Sequence, residues 1–433
     1  AMPMPEETRE AAETAMRMQA LIRNTEDEEE KREMRKMQRM ANNESYEDYA
    51  VRWLQMASYP DYSAQEKYVM FLQDVFVVSR DKVQSTIRLY EHQNLLRMSG
   101  MRAYPALAKG VSRSPAMIYY LDLQRSNKQS PNENFARELF ELFTLGEGNY
   151  SEKDIKQAAR AFTGYRVKEQ AFFFAKHQHD DGEKTVFGQT GNYSGDDVID
   201  LVYRQPAAQS FVPREVIRFY LTEQDLPEPF LRELGRYWQA HDFDMAYLLR
   251  KFFSSRAFYA PEYRGNMIKS PTQYYLGLCQ DMNLDVCPIP SLVLNQLKAM
   301  GQPFYSPPNV RGWVGGRHWI NSTTLSARRR LAQRIFDPLD EDKLNADDAL
   351  RLRAARDAGR GEFLVSEERL KTIAAENPDY IVNHFCKYFL PVGPTKSYRD
   401  QLVNHIKQGK RQKEKLVKEV LLVILQSPQY QLC

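Results

Sequence analysis

The sequence predicts a mostly α-helical protein, a large multi-helix domain with a small antiparallel β-ribbon inserted near residues 164–190. Three observations carry this. Apolar side chains recur at three-to-four spacing from about Tyr46 onward, as on the buried face of a helix. Around 164–195 that rhythm gives way to short apolar runs separated by turn formers. Helical spacing then resumes near Asp196 and dominates to the end, broken by a Pro/Gly-rich loop at Gly301–Asn321.

Taken in order, residues 5–40 are charge-dense with sparse methionines (Met16, Met34, Met37, Met40) and read as a long solvated helix. Tyr49, Trp53, Leu54 and Met56, then Tyr68, Phe71, Leu72, Val75 and Phe76, mark core faces. Leu107–Leu121 and Asn134–Leu145 continue the helical pattern, and Ser151 with Glu152 and Asp154 reads as an N-cap with early acidic residues. Gly164–Val167, Ala171–Ala175 and Thr185–Gly188 are the strands of the ribbon. Three segments, Ala108–Tyr120, Leu248–Tyr259 and Leu421–Tyr430, share a helix running into a serine-centred stop and an aromatic, consistent with a duplicated unit or with common helix terminators. The expected organisation is a charged extension over 1–45, a main domain over 46–335, and a helical segment over 336–433 packed on it.

Composition excludes several functions. Sixty basic against 57 acidic side chains give a formal charge of +3, without the basic surplus of a nucleic-acid binder. No apolar run approaches the roughly 20 residues needed to cross a bilayer, so no transmembrane segment is expected. Cys279, Cys287, Cys386 and Cys433 lack C-x-x-C spacing, which argues against zinc knuckles, and the absence of C-x-x-C-H excludes covalent haem; no cofactor is expected. Cys279 and Cys287 either close a short disulfide loop or stand as separate buried thiols.

Four segments are candidates for chemistry or structure. In Pro131–Gly146, helical spacing places Glu133, Arg137 and Glu141 on one face with Glu138 beside it, while Phe135, Leu139 and Leu142 turn to the core. An arginine among carboxylates either fixes a general acid or base or builds an ion-pair ladder. His177 and His179 would share a face if extended, with Asp180, Asp181 and Lys184 following, either as a site or as a hairpin tip. Pro307–Asn321 combines glycines with Arg311, Trp313, His318, Trp319 and Asn321, a mixture suited to a sugar or peptide cleft or to a clamped loop. Lys407, Lys410, Arg411, Lys413, Lys415 and Lys418 form a basic run that reads as a solvated face or an anion site. Phosphate-loop, α/β-hydrolase and zincin motifs are absent.

Three of these segments, in this order, resemble the bacterial family called domain of unknown function 1800. Pro131–Gly146 is similar to its hallmark almost residue for residue, followed by Ala159–Gly164, His179-Asp180-x-Gly182-x-Lys184, Lys269-Ser270-Pro271, Gly301-Gln302, Pro307–Asn321 and Ser427–Gln431. The resemblance covers roughly residues 65–433. It implies a bacterial, exported protein, periplasmic or secreted, whose signal would precede the opening Ala1-Met2-Pro3. It also implies a partner from a neighbouring exported family related to sulfatases and phosphatases; it carries no activity over. Where many members read Phe-Trp-His-Asn-His-Phe, this chain has Phe71-Leu72-Gln73-Asp74-Val75-Phe76. If those histidines normally join His179 at a metal, that site is lost, and no metal is expected here.

Two readings follow. One is a binding or assembly factor acting with a protein partner on cell-surface or secreted polymer or protein, with a saccharide as a further ligand; its contacts would come from Asn134, Arg311, Trp313, His318, Trp319 and Asn321. The other is a hydrolase or other modifying enzyme whose site combines Arg137, Glu138, Glu141, His179, Asp180 and Lys184. Both rest on these distant segments lining one cavity.

Overall fold

The computed structural model describes residues 2–224, 227–337, 339–409 and 412–433. Among them 64% of the chain is helical, in 21 helices, with two small two-stranded antiparallel sheets. The chain forms two compact units that exchange segments: the first holds 1–49, 64–258 and 305–313, and the second holds 50–63, 259–304 and 314–433.

The polar N-terminal region is two helices, α1 (Glu6–Asn24) and α2 (Glu28–Ser58), rather than one. The break falls at Thr25-Glu26-Asp27, where the Asp27 carboxylate accepts from the Glu29 amide. Nor is α1 fully solvated. It buries Thr8, Ala12 and Ala15 and packs against the helix Thr86–Ser99. Small residues on that face let the two backbones approach, so a charged sequence docks without a wide apolar stripe.

α3 (Pro60–Val75) and α4 (Thr86–Ser99) bring Tyr68, Phe71, Leu72 and Leu89 inside. Within the first unit they are joined by a buried bidentate pair in which Arg97 meets Glu66 at 2.6 Å through both Nε and Nη2. The predicted Leu107–Leu121 helix is cut at Arg113-Ser114, because Pro115 restarts it. Next come α5 (Asn134–Glu138), a π-helical turn over Leu139–Thr144, and α6 (Glu152–Ala161), whose Ser151–Asp154 capping box matches the expectation.

The ribbon is two hairpins. β1 (Tyr165–Lys168) pairs with β2 (Ala171–Phe174), and β3 (Lys184–Val186) pairs with β4 (Gln189–Gly191). Gly164 has φ +82°, and a Cβ there would lie 2.8 Å from the Ala175 carbonyl oxygen, so only glycine admits this crossing. α7 (Ala208–Tyr220), α8 (Glu228–Gln239) and α9 (Met245–Phe253) complete the unit around Phe76, Tyr104, Phe143 and Trp238.

In the second unit α10 (Pro271–Asp281) and α11 (Ser322–Arg334) are followed by α12 (Glu367–Ala374), α13 (Pro378–Phe389), α14 (Lys396–Gln408) and α15 (Lys413–Leu425). Two of the three echoed segments end comparable sets, α7–α8–α9 and α13–α14–α15, in which each helix packs on the next. Cys279 and Cys287 are both thiols, and burial pushes the Cys279 group up to about 12.

Candidate functional site

The Pro131–Gly146 segment does not keep one helical register. The π turn shifts the phase after Glu138, so Phe140 and Phe143 are buried and Leu142 is left half-buried. Glu141 is therefore carried away from Arg137. Arg137 sits between Glu133 (3.2 Å) and Glu152 of α6 (2.7 Å), whereas Glu141 accepts from Tyr150 Oη (2.7 Å) and Arg311 (2.7 Å). Arg311 also pairs with Glu147. Burial, then the neighbouring Glu141, raises the pKa of the Glu138 carboxyl. Asn134 is exposed at the start of α5.

The loop that carries Arg311 continues into Gly312 and Trp313, and here the Trp313 amide donates to Asp74 Oδ1 at 3.2 Å. Gly312 has φ +76°, and a Cβ there would stand 2.4 Å from that same oxygen. Burial pushes the Asp74 carboxyl up to about 7. Beside it Gln73 bonds the Tyr305 hydroxyl. Residues 73 and 74, where the resemblance marked a departure, thus anchor the 305–313 loop.

The His-Asp-x-Gly-x-Lys segment forms a second, separate group. His177 lies in an exposed 3-10 turn while His179 is extended and buried, so the two imidazoles do not share a face. His179 Nδ1–H donates to the Thr163 carbonyl at 3.0 Å, and Phe174 covers the ring. Asp180 receives a bidentate pair from Arg160 (2.7 and 3.0 Å), which holds its pKa below the usual carboxylate range. Lys184 is buried and donates to Asp180 O (2.6 Å), Gly182 O (2.9 Å) and Asn192 Oδ1 (3.5 Å); burial lowers its pKa.

Helix α6 separates these groups. Glu152 at its first turn holds Arg137 and Arg160 at its last holds Asp180, eight residues and about 12 Å of helix apart. Glu138 and Glu141 gather with Arg311, Arg137 is held on Glu133 and Glu152, and Trp313 is tied to Asp74; His179, Asp180 and Lys184 form their own knot. His318, Trp319 and Asn321 belong to the second unit, where Asn321 caps α11, Trp319 is buried with its carbonyl accepting from Thr324, and His318 is exposed.

The family match runs from residue 3 to residue 432, almost the whole chain. The chain belongs to the family described as protein of unknown function DUF1800. No curated protein and no solved structure matches it.

In this DUF1800 chain the remaining family segments also have local work. Lys269 N donates to Gln431 O (2.8 Å), Gln302 Oε1 accepts from Thr272 N and Oγ1 (2.9 Å each), and the buried Arg328 donates to Lys269 O (2.8 Å) and Gln431 Oε1 (3.3 Å). Of the basic run, Lys407 pairs with Asp379 and Lys413 donates to Glu376 O; Lys410 and Arg411 lie outside the described residues, as does Ala1.

A further feature carries no recognisable motif in the sequence. In the second unit a cavity of about 290 Å³ is walled by α13. Ile381, Phe385 and Phe389 line its apolar side, and Tyr380, His384 and Tyr388 stack along the helix with centroids 5.9 and 6.2 Å apart and planes within 19° and 8°. Tyr380 and Tyr388 are 58% and 57% exposed. The i, i+4, i+8 spacing of three rings was the available signal. Among the described residues no group of three or more His, Cys, Asp or Glu side chains is arranged to hold a metal ion.

Proposed function

We propose that the protein is a binding factor, exported to the periplasm or beyond, that engages a protein partner through the α13 cavity of its second unit. The observation that carries this reading is the stacked ring wall. Two tyrosines more than half exposed, over an apolar floor, present contact area that the fold does not use for its own burial. Rigid aromatic side chains lose little entropy on contact and commonly anchor interfaces. By contrast, Lys184, Asp180 and Arg137 are engaged with internal partners.

The test is co-purification from the native host. Tyr380→Ala/Tyr388→Ala is expected to release a partner that the wild-type chain retains, at an unchanged melting temperature. Retention of the partner by the double variant contradicts the assignment.

A second reading, an enzyme using acid–base chemistry at the π turn, is favoured by one observation. Glu138, which feels the Arg311 charge, and Asp74, which accepts from the Trp313 amide of the same loop, both have carboxyls pushed upward by burial.

A further inference from the structure

In the first unit the β1–β2 hairpin keeps an outer face that the fold does not use. Arg166 stands opposite Phe173 and Lys168 opposite Ala171, so these four share one face. Tyr165, Phe172 and Phe174 take the other, where Tyr165 packs on Phe172 and Phe174 covers His179. Phe173 is 48% exposed and, among the described residues, meets no other ring. The ribbon that presents it is pinned at its turn. Glu169 and Gln170 have φ of +51° and +66°, values usually left to Asn-Gly, and Gln170 accepts from Arg88 Nε at 3.0 Å.

Basic side chains gather about this face from neighbouring segments. The Val167 amide donates to Gln124 Oε1 (2.7 Å) and the Lys128 amide to Gln178 O (2.8 Å). These bonds lay Arg125 and Lys128 beside β1 and beside the 3-10 turn that carries Lys176. Arg166 Nη1 donates to the Leu123, Ser126 and Tyr165 carbonyls rather than to a carboxylate. Arg125, Lys128, Lys168 and Lys176 are exposed and, among the described residues, form no ion pair. The acids within 122–130 and 165–177 are Asp122, which Lys82 already holds at 2.7 Å, and Glu169.

We infer that the hairpin docks on an anionic lipid surface, with Phe173 entering the interfacial layer and Arg125, Lys128, Lys168 and Lys176 meeting headgroup phosphates. Charge complementarity selects an anionic occupant, and the unused ring selects one that is also apolar. An acidic polypeptide answers the charges alone. A bilayer answers both, because its apolar layer lies directly beneath its anions, and it needs no groove to fit. This surface does not rest on the α13 reading.

The experiment is co-sedimentation of the full chain with phosphatidylcholine vesicles, pure or containing a third phosphatidylglycerol. Binding is expected on the mixed vesicles and to fall as salt is raised. Each basic group near an anionic surface contributes roughly fivefold, so Lys168→Gln/Lys176→Gln should weaken binding roughly twentyfold. Phe173→Ala should weaken it roughly fivefold through lost apolar contact. Neither variant should change the melting temperature, since these side chains face solvent. Failure to sediment with the mixed vesicles overturns the inference, and so does equal binding to both kinds. Soluble poly-glutamate serves as the control for an acidic protein. Binding to it as tight as to the vesicles, and indifferent to Phe173→Ala, would make the hairpin an acidic-protein surface and overturn the lipid assignment.

Discussion

Asp74 carries a carboxyl pushed far above the ordinary carboxylate range. Its carboxyl, raised by burial to about 7, keeps a proton in the folded state that the unfolded chain releases near pH 4. The stabilising contribution is therefore complete below the unfolded value and is lost as pH rises through 7. Asp74→Asn copies the protonated form and can still accept from the Trp313 amide. It should raise stability at pH 8 by about 1–2 kcal/mol after solvent screening, and change little at pH 4. Urea midpoints at the two pH values check this; equal midpoints at pH 8 would show that Asp74 ionises there without penalty. The resemblance pointed to this position, since it marks an asparagine where Asp74 stands. The ionic consequence was not legible, because burial of a carboxyl depends on a loop more than two hundred residues away in the chain.

At the scale of elements, helices were the most legible feature and phase the least. Ser151 with Asp154 announces a helix start because both partners of the cap are local. The π turn could not be read from spacing: one extra residue in a turn leaves the composition unchanged, yet it moves Glu141 from Arg137 to Arg311 and exchanges Leu142 for Phe143 in the core. The condition under which His177 and His179 share a face, an extended backbone, fails for a similar reason. Period two holds only within a strand, and a 3-10 turn ends at Gln178. The hairpin knot is built on carbonyl acceptors, which carry no sequence signature. Replacing Lys184 by Met leaves the Asp180 and Gly182 carbonyls without their donor, at a cost on the order of 1–3 kcal/mol. Lys184→Met should thus lower the urea midpoint while partner retention of the folded fraction is unchanged. An unaltered midpoint with lost retention would make the lysine a functional group instead.

For the molecule as a whole, helical class and family were legible because both are spread over hundreds of residues, and the match indeed spans residues 3–432. The segments that carry the resemblance fall in both units, and most serve to tie strands, caps and loops together. An open aromatic surface lies outside those segments, on α13, where three rings at helical spacing mark a shared face but not whether that face is covered. No described helix is long and apolar enough to cross a membrane. The segments with the strongest motifs are therefore occupied with internal bonds, and the surface proposed above for a partner lies apart from them.

Site-directed photo-crosslinking in the native host tests that separation most directly, with the crosslinker placed at Tyr388 on the cavity wall or at Asn134 beside the π turn. An adduct to a defined protein from Tyr388 and none from Asn134 is the expected result. An adduct from Asn134 alone, or none from either position, would contradict it.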